Sequence, residues 1–149
     1  AGHDPDKLQI ATHSHGLVGD DDEAAADLLF PAEQAQMNII GRERGWPPYT
    51  RASFDAARSL RGALYVGDPE TVAEKIVLLR KNLGITRFFL HVDFSTIPHR
   101  DILRSIELLG TKVAPLVRKE LARIEGDAGA PGDDAAAGSA GNAESDGKG

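Results

Sequence analysis

The alternation of apolar and polar positions is clearest between residues 67 and 92. Asp68 followed by Pro69 is typical of a helix start, because the aspartate caps the first turn and proline needs no hydrogen-bond partner there. Gly84 is typical of a left-handed helix end. Between them, apolar residues recur at spacings of four, three and four, which predicts one buried stripe made of Val72, Ile76, Leu79 and Leu83.

The segment after Gly84 is a nearly continuous apolar run from Phe88 to Val92, interrupted by His91. Such a run is typical of a parallel strand that helices cover on both faces. A capped helix, a tight turn and this strand make one αβ unit of a parallel α/β fold. Ligand sites in such folds gather where the strands end.

A second strand is predicted upstream, from Leu8 to Val18, where apolar and polar residues alternate. One of the aspartates at 20–22 is expected to cap the helix that follows, and Pro31 is expected to break or kink it. A last long helix is expected to begin near His99, with a kink at Pro115. Strand, helices, strand and terminal helix is the order expected for the last part of an α/β barrel.

Length and composition narrow the function classes. A chain of 149 residues predicts one domain and falls short of the about 250 residues of a closed eight-stranded barrel. The formal net charge of -6 argues against non-specific nucleic-acid binding. Without cysteine there is no disulfide and no thiolate site. No apolar run reaches the about 20 residues of a membrane span, so we expect a cytoplasmic protein with no membrane partner.

The two ends of the chain differ in composition. From Gly126 to Gly149 the sequence is mostly Gly, Ala, Asp and Ser, with no large apolar side chain. Such a segment cannot offset its ordering entropy by burial. We therefore predict an α/β domain over residues 1–125 and a disordered tail over residues 126–149.

The densest polar cluster, His13-Ser14-His15-Gly16, lies near the end of the first predicted strand. A strand would point His13 and His15 to the same face, and Gly16 would let a ligand approach the backbone closely. This pattern predicts a pocket at the strand end. A hydrogen-bonded strand terminus without a ligand is an equally consistent interpretation.

A metal site is the alternative for the same residues. His13 and His15, with the late acid Asp93, match part of the pattern of metal-dependent hydrolases on barrels, and His91 and His99 would be further ligands. The motif is short and matches by chance easily. We interpret His91 as a core histidine, because it lies within an apolar run, and Asp93 as a functional residue, because it follows the strand.

Several segments, in this order, resemble one enzyme family. They are Arg44-Gly45-Trp46-Pro47-Pro48, Gly62 to Ile76, Phe88-Phe89-Leu90, Ile97-Pro98-His99 and Leu103 to Leu109. With His13-Ser14-His15-Gly16 and Ala35 to Gly41, they make residues 5–124 similar to the C-terminal part of luciferase-like, flavin-dependent monooxygenases.

The resemblance implies an α/β fold, the C-terminal segment of a (β/α)8 TIM-type barrel, incomplete. It implies reduced FMN as the cofactor, or F420 in one branch, at the carboxyl ends of the strands. Oxygen and a small organic substrate would react there, and a flavin reductase is an expected partner. The cofactor-binding residues would be His13, Ser14, His15 and Gly16.

The same resemblance predicts a substrate pocket lined by Asp93, His99 and Trp46. The Trp46 to Tyr49 loop would be a lid, or else a rigid loop packed by its own aromatic rings. The chain offers no evident acid–base pair, which suits a cofactor that carries the reaction, and the catalytic residues stay unassigned. Much of the family's flavin surface comes from earlier strands, so we expect activity to need the N-terminal barrel half. Two alternatives stay open: a non-catalytic α/β module that homo-oligomerises through an open sheet edge, and a fragment of a metal-dependent hydrolase.

Overall fold

The computed structural model describes Gly2, Asp4 and residues 7–92 and 96–128. Its elements, in chain order, are β1 (Ala11–Val18), α1 (Asp22–Arg44), α2 (Arg51–Arg58), β2 (Tyr65–Gly67), α3 (Pro69–Leu83), β3 (Arg87–His91), α4 (His99–Leu108), a π-helical turn (Leu109–Val113) and α5 (Ala114–Ala128). The predicted α/β class is confirmed. Helix α5 continues past the predicted start of the tail, and residues 129–149 of that tail lie outside the described part.

A three-stranded parallel sheet in the order β2-β1-β3 forms the centre of the fold. Strand β3 pairs with Ala11–His15 of β1, whereas β2 pairs only with Gly16–Val18 on the opposite edge. The two predicted strands correspond to β1 and β3. Strand β2 was not predicted, because its three residues are too few to show the two-residue period of a strand. In the described residues the outer edge of β3, and the edge of β1 along Ala11–His15 that faces away from β3, have no neighbouring strand.

Helices cover the two sides of the sheet unequally. One side packs against α3, the π-helical turn and α5; we call it the covered face, and its residues are Thr12, Ser14, Gly16, Val18, Tyr65, Phe88 and Leu90. On the other side, α1 and α2 pack over Leu17 and Val66 at the carboxyl end of the sheet. The rest of that side, the open face, consists of Ala11, His13, His15, Arg87, Phe89 and His91.

The prediction that helices cover both faces of β3 is wrong. Phe88 is partly buried and packs against the core, but the next side chain along the strand, Phe89, is 49% exposed. The predicted stripe of α3 also ends one turn early, because Leu83 is 58% exposed while Val72 is fully buried. Both departures have one cause: an apolar side chain is buried only where another element lies over it.

Helix α1 shows how packing outweighs a local helix breaker. The carboxylate of Asp21 caps it by accepting a hydrogen bond from the backbone N–H of Ala24 at 2.9 Å. The prediction that one of the aspartates at 20–22 caps this helix is therefore confirmed. The helix continues through Pro31, so of the predicted break or kink the break is wrong, and the kink stays a prediction. Leu29 and Ala32, on either side of the proline, are buried in the core, and their burial offsets the missing hydrogen bond.

The last helical stretch is irregular just before Pro115. Residues Leu109–Val113 form a π-helical turn between α4 and α5. Pro115 has no N–H for the carbonyl of Thr111, and its ring crowds that carbonyl, which accounts for a widened turn. The predicted irregularity at Pro115 therefore takes the form of a π turn, and the helix continues beyond it.

Lys75 joins α3 to the loop between α2 and β2. Its side chain is only 2% exposed, and its ammonium group donates to the carbonyl oxygens of Arg58 at 3.0 Å, Ser59 at 2.6 Å and Leu64 at 2.5 Å. The same nitrogen lies 4.9 Å from the centre of the Tyr65 ring. Burial, and then the charge of Arg58, lower the pKa of Lys75 to about 8. The three hydrogen bonds satisfy a buried charge that would otherwise be costly.

Candidate functional site

Three histidine side chains meet on the open face. The strand register places His91 of β3 opposite His15 of β1, and their ring centres are 4.9 Å apart. His13 lies 5.2 Å from His91, with the two rings stacked at 24°, and 6.1 Å from His15. These three residues are called the histidine cluster below. The predicted common face of His13 and His15 is therefore present, and β3 adds a third ring to it.

The histidine cluster lies at the carboxyl end of β3. His13 is exposed, while His15 and His91 are partly buried. The interpretation of His91 as a core histidine is wrong, because its side chain is only partly buried and lies against the other two histidine rings. Asp93, which was predicted to act here, lies outside the described residues.

Burial, and then the neighbouring rings, disfavour a proton on His15. Partial burial lowers the pKa of His15, and the neighbouring His91 and His13 lower it further. A proton on one ring opposes a proton on the next at these distances. His15 is therefore mostly uncharged at neutral pH, and a neutral imidazole has one N–H donor and one nitrogen acceptor.

The ring arrangement does not favour a metal ion. Metal ligands must direct their nitrogen atoms to one point, whereas the stacked rings of His13 and His91 lie in nearly parallel planes. Within residues 7–92 and 96–128, no group of three or more histidine, aspartate or glutamate side chains is arranged to hold a metal ion. The hydrolase alternative gains no support from the structure.

Ser14 and Gly16 do not join the histidines. Ser14 alternates with them along β1 and faces the covered side of the sheet. Gly16 is buried, and a Cβ atom there would lie 1.9 Å from the carbonyl oxygen of Tyr65 and 2.8 Å from a methyl group of Leu90. The glycine is thus required by the close approach of β2, which is a structural role and not the predicted approach of a ligand.

Trp46 lies at the corner between α1 and α2. Its ring is 47% exposed and lies under the guanidinium of Arg44, 5.1 Å away. The backbone N–H of Trp46 donates to the carbonyl oxygen of Gly41 at 2.8 Å. Farther along the loop, the side chain of Asn38 accepts from the N–H of Tyr49 at 2.8 Å. These contacts favour the rigid-loop interpretation over the lid.

His99 is the first residue of α4, where it is exposed beside Pro98. This position agrees with the prediction that the last long helix begins near His99. Of the three predicted pocket residues, Trp46 lies against α1 and His99 begins α4, while Asp93 lies outside the described residues.

Sequence reasoning missed one buried carboxyl group. Glu33 of α1 is 5% exposed, and its Oε2 atom has no hydrogen-bond partner among the described residues. Burial raises the pKa of Glu33, and the pKa of Tyr49 is raised by burial and by this carboxylate. The only sequence signal is a glutamate that follows the apolar segment Leu28 to Ala32.

Comparisons with known proteins do not identify the chain. No protein-family model matches it, and no curated protein matches it. Among the described helices, none is both long enough and apolar enough to cross a membrane. The function must therefore be argued from the open face and its histidines.

Proposed function

We propose that this chain is part of a cytoplasmic, luciferase-like, flavin-dependent oxidoreductase or monooxygenase, and that its open face lines the flavin pocket. One observation carries the proposal: three histidine rings meet at the carboxyl end of β3, beside the middle of β1, on the part of the sheet that the described helices leave uncovered. In α/β barrels, ligands bind at that end of the strands.

The proposed barrel follows from the pairing of the strands. Adjacent parallel strands are what a segment of barrel wall contains, and the open face, which α1 and α2 leave uncovered along Ala11–His15 and β3, would be the inner surface. Strand β2 pairs only with Gly16–Val18. The proposal therefore takes β1 and β3 as consecutive barrel strands and β2 as an addition at their carboxyl end. Further βα units would pair with the free edges.

The residues of the open face suit one part of a flavin better than another. The histidines offer hydrogen-bond donors and acceptors for the polar edge of the ring system, and Phe89 offers an aromatic surface. Arg87, the cation of this face, pairs with Ala11 at the amino end of the sheet, away from the site. We therefore assign the flavin ring to this chain and the phosphate to the further βα units.

A bound flavin would supply the redox chemistry: reduced FMN with oxygen, or F420 as a hydride carrier, acting on a small organic substrate. The residues of this chain would orient the ring. His15, whose pKa is lowered, can do so without placing a fixed charge beside it. A flavin reductase would be the partner that returns FMN to its reduced form.

The second candidate is a non-catalytic module that assembles with copies of itself. The free edges of β1 and β3 favour it, because unpaired strands readily add another strand. Exposed apolar side chains on β3 and just before β1 also favour it: Phe89 is 49% exposed, Ile10 39% and Leu8 65%. In this case the histidine cluster would have no flavin to bind.

Titration of the chain with FMN, and separately with F420, tests the proposal. Flavin fluorescence reports binding, and light scattering reports the molecular mass in the same samples. We expect saturable binding in the micromolar range for one of the two cofactors. His91→Gln should weaken it at least tenfold, because that ring contacts both other histidines, while His99→Gln, at the exposed start of α4, should leave it unchanged.

Two outcomes count against the flavin proposal. Equal affinity of the wild-type and His91→Gln chains would place any flavin elsewhere. A stable oligomer that binds neither cofactor, in the oxidised or in the reduced form, would favour the self-assembling module instead.

A further inference from the structure

A groove of about 440 Å³ opens to solvent between α3 and α5. Its apolar lining consists of Ala73, Val77 and Leu78 of α3, Leu116 of α5 and Leu60 of the loop before β2. Leu60 is 45% exposed, and Leu78 and Leu116 are partly exposed. Exposed apolar surface with a polar rim is typical of an interaction site.

The charges along the rim of this groove are separated by sign. On α3, Glu70 and Glu74 come before the apolar residues Val77 and Leu78, and Lys81 comes after them. All three charged side chains are exposed. A segment that binds along the groove therefore needs a positive charge at the Glu74 end and a negative charge at the Lys81 end.

Glu120 of α5 shows that a second lysine belongs to the Lys81 end. A hydrogen bond from Arg123 lowers the pKa of Glu120, and the charges of Lys81 and Lys119 lower it further. The Arg123 guanidinium donates to this carboxylate at 2.6 Å, so Glu120 is already paired on its own helix. The Lys81 and Lys119 end of the groove is thus positive.

Helix α4 carries the complementary pattern on its exposed side. Leu103 and Ile106 are large and apolar, yet they are 53% and 51% exposed. Arg100 lies one turn before Leu103, and Glu107 lies one turn after it, on the same side of the helix. This side, which we call the α4 face, therefore runs from a positive end through an apolar middle to a negative end.

The charged ends of the α4 face contact neighbours on the same helix. The guanidinium of Arg100 lies 3.5 Å from the carboxylate of Asp101, and the Arg100 side chain is 86% exposed. Glu107 accepts from Arg104 at 2.8 Å, and its side chain is 58% exposed. Exposed pairs of this kind contribute little to stability, so both charged ends stay accessible to a second partner.

The groove and the α4 face match in the spacing of their charges. Arg100 and Glu107 are seven residues apart, and so are Glu74 and Lys81. Seven residues of helix span about 10 Å. When α4 lies along the groove in the direction of α3, Arg100 meets Glu74 and Glu107 meets Lys81, while the apolar middle of the α4 face enters the groove. The opposite direction brings like charges together.

The α4 face does not fill the groove of its own chain, since Leu103 and Ile106 are exposed there. On the opposite side of α4, the buried hydroxyl of Ser105 accepts from the backbone N–H of Val18 at 2.8 Å, which holds the helix on β1 with its apolar residues outward. A second copy of the chain carries the face that the groove fits. Recognition of an amphipathic helix in an apolar groove uses anchors at this spacing.

We infer that the α4 face of one copy of the chain docks into the α3–α5 groove of a second copy. The contact joins two different surfaces, so repeated docking forms a ring or an open array. It uses neither the free edges of the sheet nor the histidine cluster. Self-association of this kind goes beyond the proposed function and is compatible with flavin binding.

Sedimentation velocity of the 149-residue chain at rising concentration tests the docking. We expect a mass above that of one chain, with a dissociation constant in the micromolar range. Leu103→Asp introduces a charge into the apolar contact, and Glu74→Arg sets two arginines against each other; each should weaken association about tenfold or more. Leu83→Asp is the matched control and should change nothing, because Leu83 is 58% exposed on α3 and does not line the groove.

Two combinations of substitutions separate docking of α4 from any other association. An equimolar mixture of the Leu103→Asp and Glu74→Arg chains contains one intact groove and one intact α4 face for each pair of chains. It should therefore form a complex with one copy of each, which neither variant forms alone. In a single chain, Arg100→Glu together with Glu74→Arg exchanges the charges and should restore self-association.

Three results would overturn the inference: a wild-type chain that stays monomeric at every concentration, association that Leu103→Asp and Glu74→Arg leave unchanged, and a mixture of the two variants that forms no complex. Circular dichroism and urea unfolding establish that each variant folds. Ile106→Asp replaces Leu103→Asp if the latter does not fold, and Lys81→Glu likewise replaces Glu74→Arg.

The flavin titration gives a separate answer. Leu103→Asp and Glu74→Arg lie off the open face and should leave the affinity for flavin unchanged. A chain that binds flavin but stays monomeric keeps the flavin proposal and loses the docking of α4. A chain that associates through α4 but binds no flavin keeps the docking and loses the flavin proposal.

Discussion

The covered and open faces of the sheet are built from alternate residues of the same strands, yet they differ in almost every physical respect. On β3, Phe88 packs 4.7 Å from the ring of Tyr65, while its neighbour Phe89 is half exposed. On β1, the buried Gly16 alternates with the histidines. The covered face is specified by packing, whereas the open face is free to carry chemistry.

The difference shows that an apolar run reports strand formation better than it reports burial. The run from Phe88 to Leu90 satisfies a strand in either environment. Which of its side chains are buried depends on α3 and α5, which lie on one side only. Substitutions on the two faces should therefore differ sharply in their effect on the free energy of unfolding.

The largest effect is expected for Gly16→Ala. The new Cβ would lie 1.9 Å from a backbone oxygen, so β1 and β2 must separate, and we expect a loss of about 4 kcal/mol. Urea unfolding followed by circular dichroism measures it. Gly110→Ala is the control, because a Cβ there meets nothing within 4 Å. A small effect at Gly16 would mean that β2 is not held against β1.

The neighbouring phenylalanines give the most direct test of the two faces. Phe88→Ala removes a partly buried ring that packs against the core and should cost about 3 kcal/mol. Phe89→Ala removes a half-exposed ring and should cost about 0.5 kcal/mol. Both are measured by urea unfolding at low protein concentration. If Phe89→Ala is the more damaging change, and its cost grows with concentration, then copies of the chain cover the open face.

Glu33 lies on α1, the helix that packs over the carboxyl end of the sheet on the side of the open face. Its burial raises its pKa, so the folded state binds the proton more tightly than the unfolded state. Stability is therefore lost as the pH rises from the ordinary value of 4.5 through the raised pKa. Glu33→Gln should stabilise the protein by about 1 kcal/mol near pH 7.5 and by less near pH 4.5. An equal effect at both pH values would contradict this.

The smallest effect is expected from the pH dependence of His15. Its pKa is lowered on folding, so the unfolded state takes up the proton first. Stability should fall as the pH drops below the ordinary value of 6.5 towards the lowered pKa, by about 0.5 kcal/mol for this partly exposed ring. His15→Gln should flatten that part of the curve of unfolding free energy against pH. A steeper fall in the variant would assign the dependence to another group.

Local signals in the sequence predicted the elements that local physics decides. The carboxylate of Asp68 caps α3 by accepting a hydrogen bond from the backbone N–H of Thr71 at 2.8 Å. Pro69 is the first residue of the helix, and Gly84 ends it with a φ of 64°. The common face of His13 and His15 followed from the two-residue period of a strand. Each of these features depends on residues close together in the chain.

Features that depend on distant residues were out of reach. The position of His91 beside His15 depends on the β1–β3 register, and the need for a glycine at position 16 depends on the carbonyl of Tyr65. The burial of the Glu33 carboxyl group depends on how α1 packs against the rest of the protein. Two of the three rings of the candidate site were thus predicted from the period of one strand. The third, His91, joins them through the pairing of β3 with β1.

The buried amine of Lys75 gives the protein an internal chemical reporter. Reagents that acylate amines reach surface lysines at once, but Lys75 reacts only after the carbonyl groups of Arg58, Ser59 and Leu64 release it. Peptide mass spectrometry after brief labelling would therefore time the separation of the α2–β2 loop from α3. That separation is a local opening, and its rate can be compared with the rate of global unfolding in the same sample.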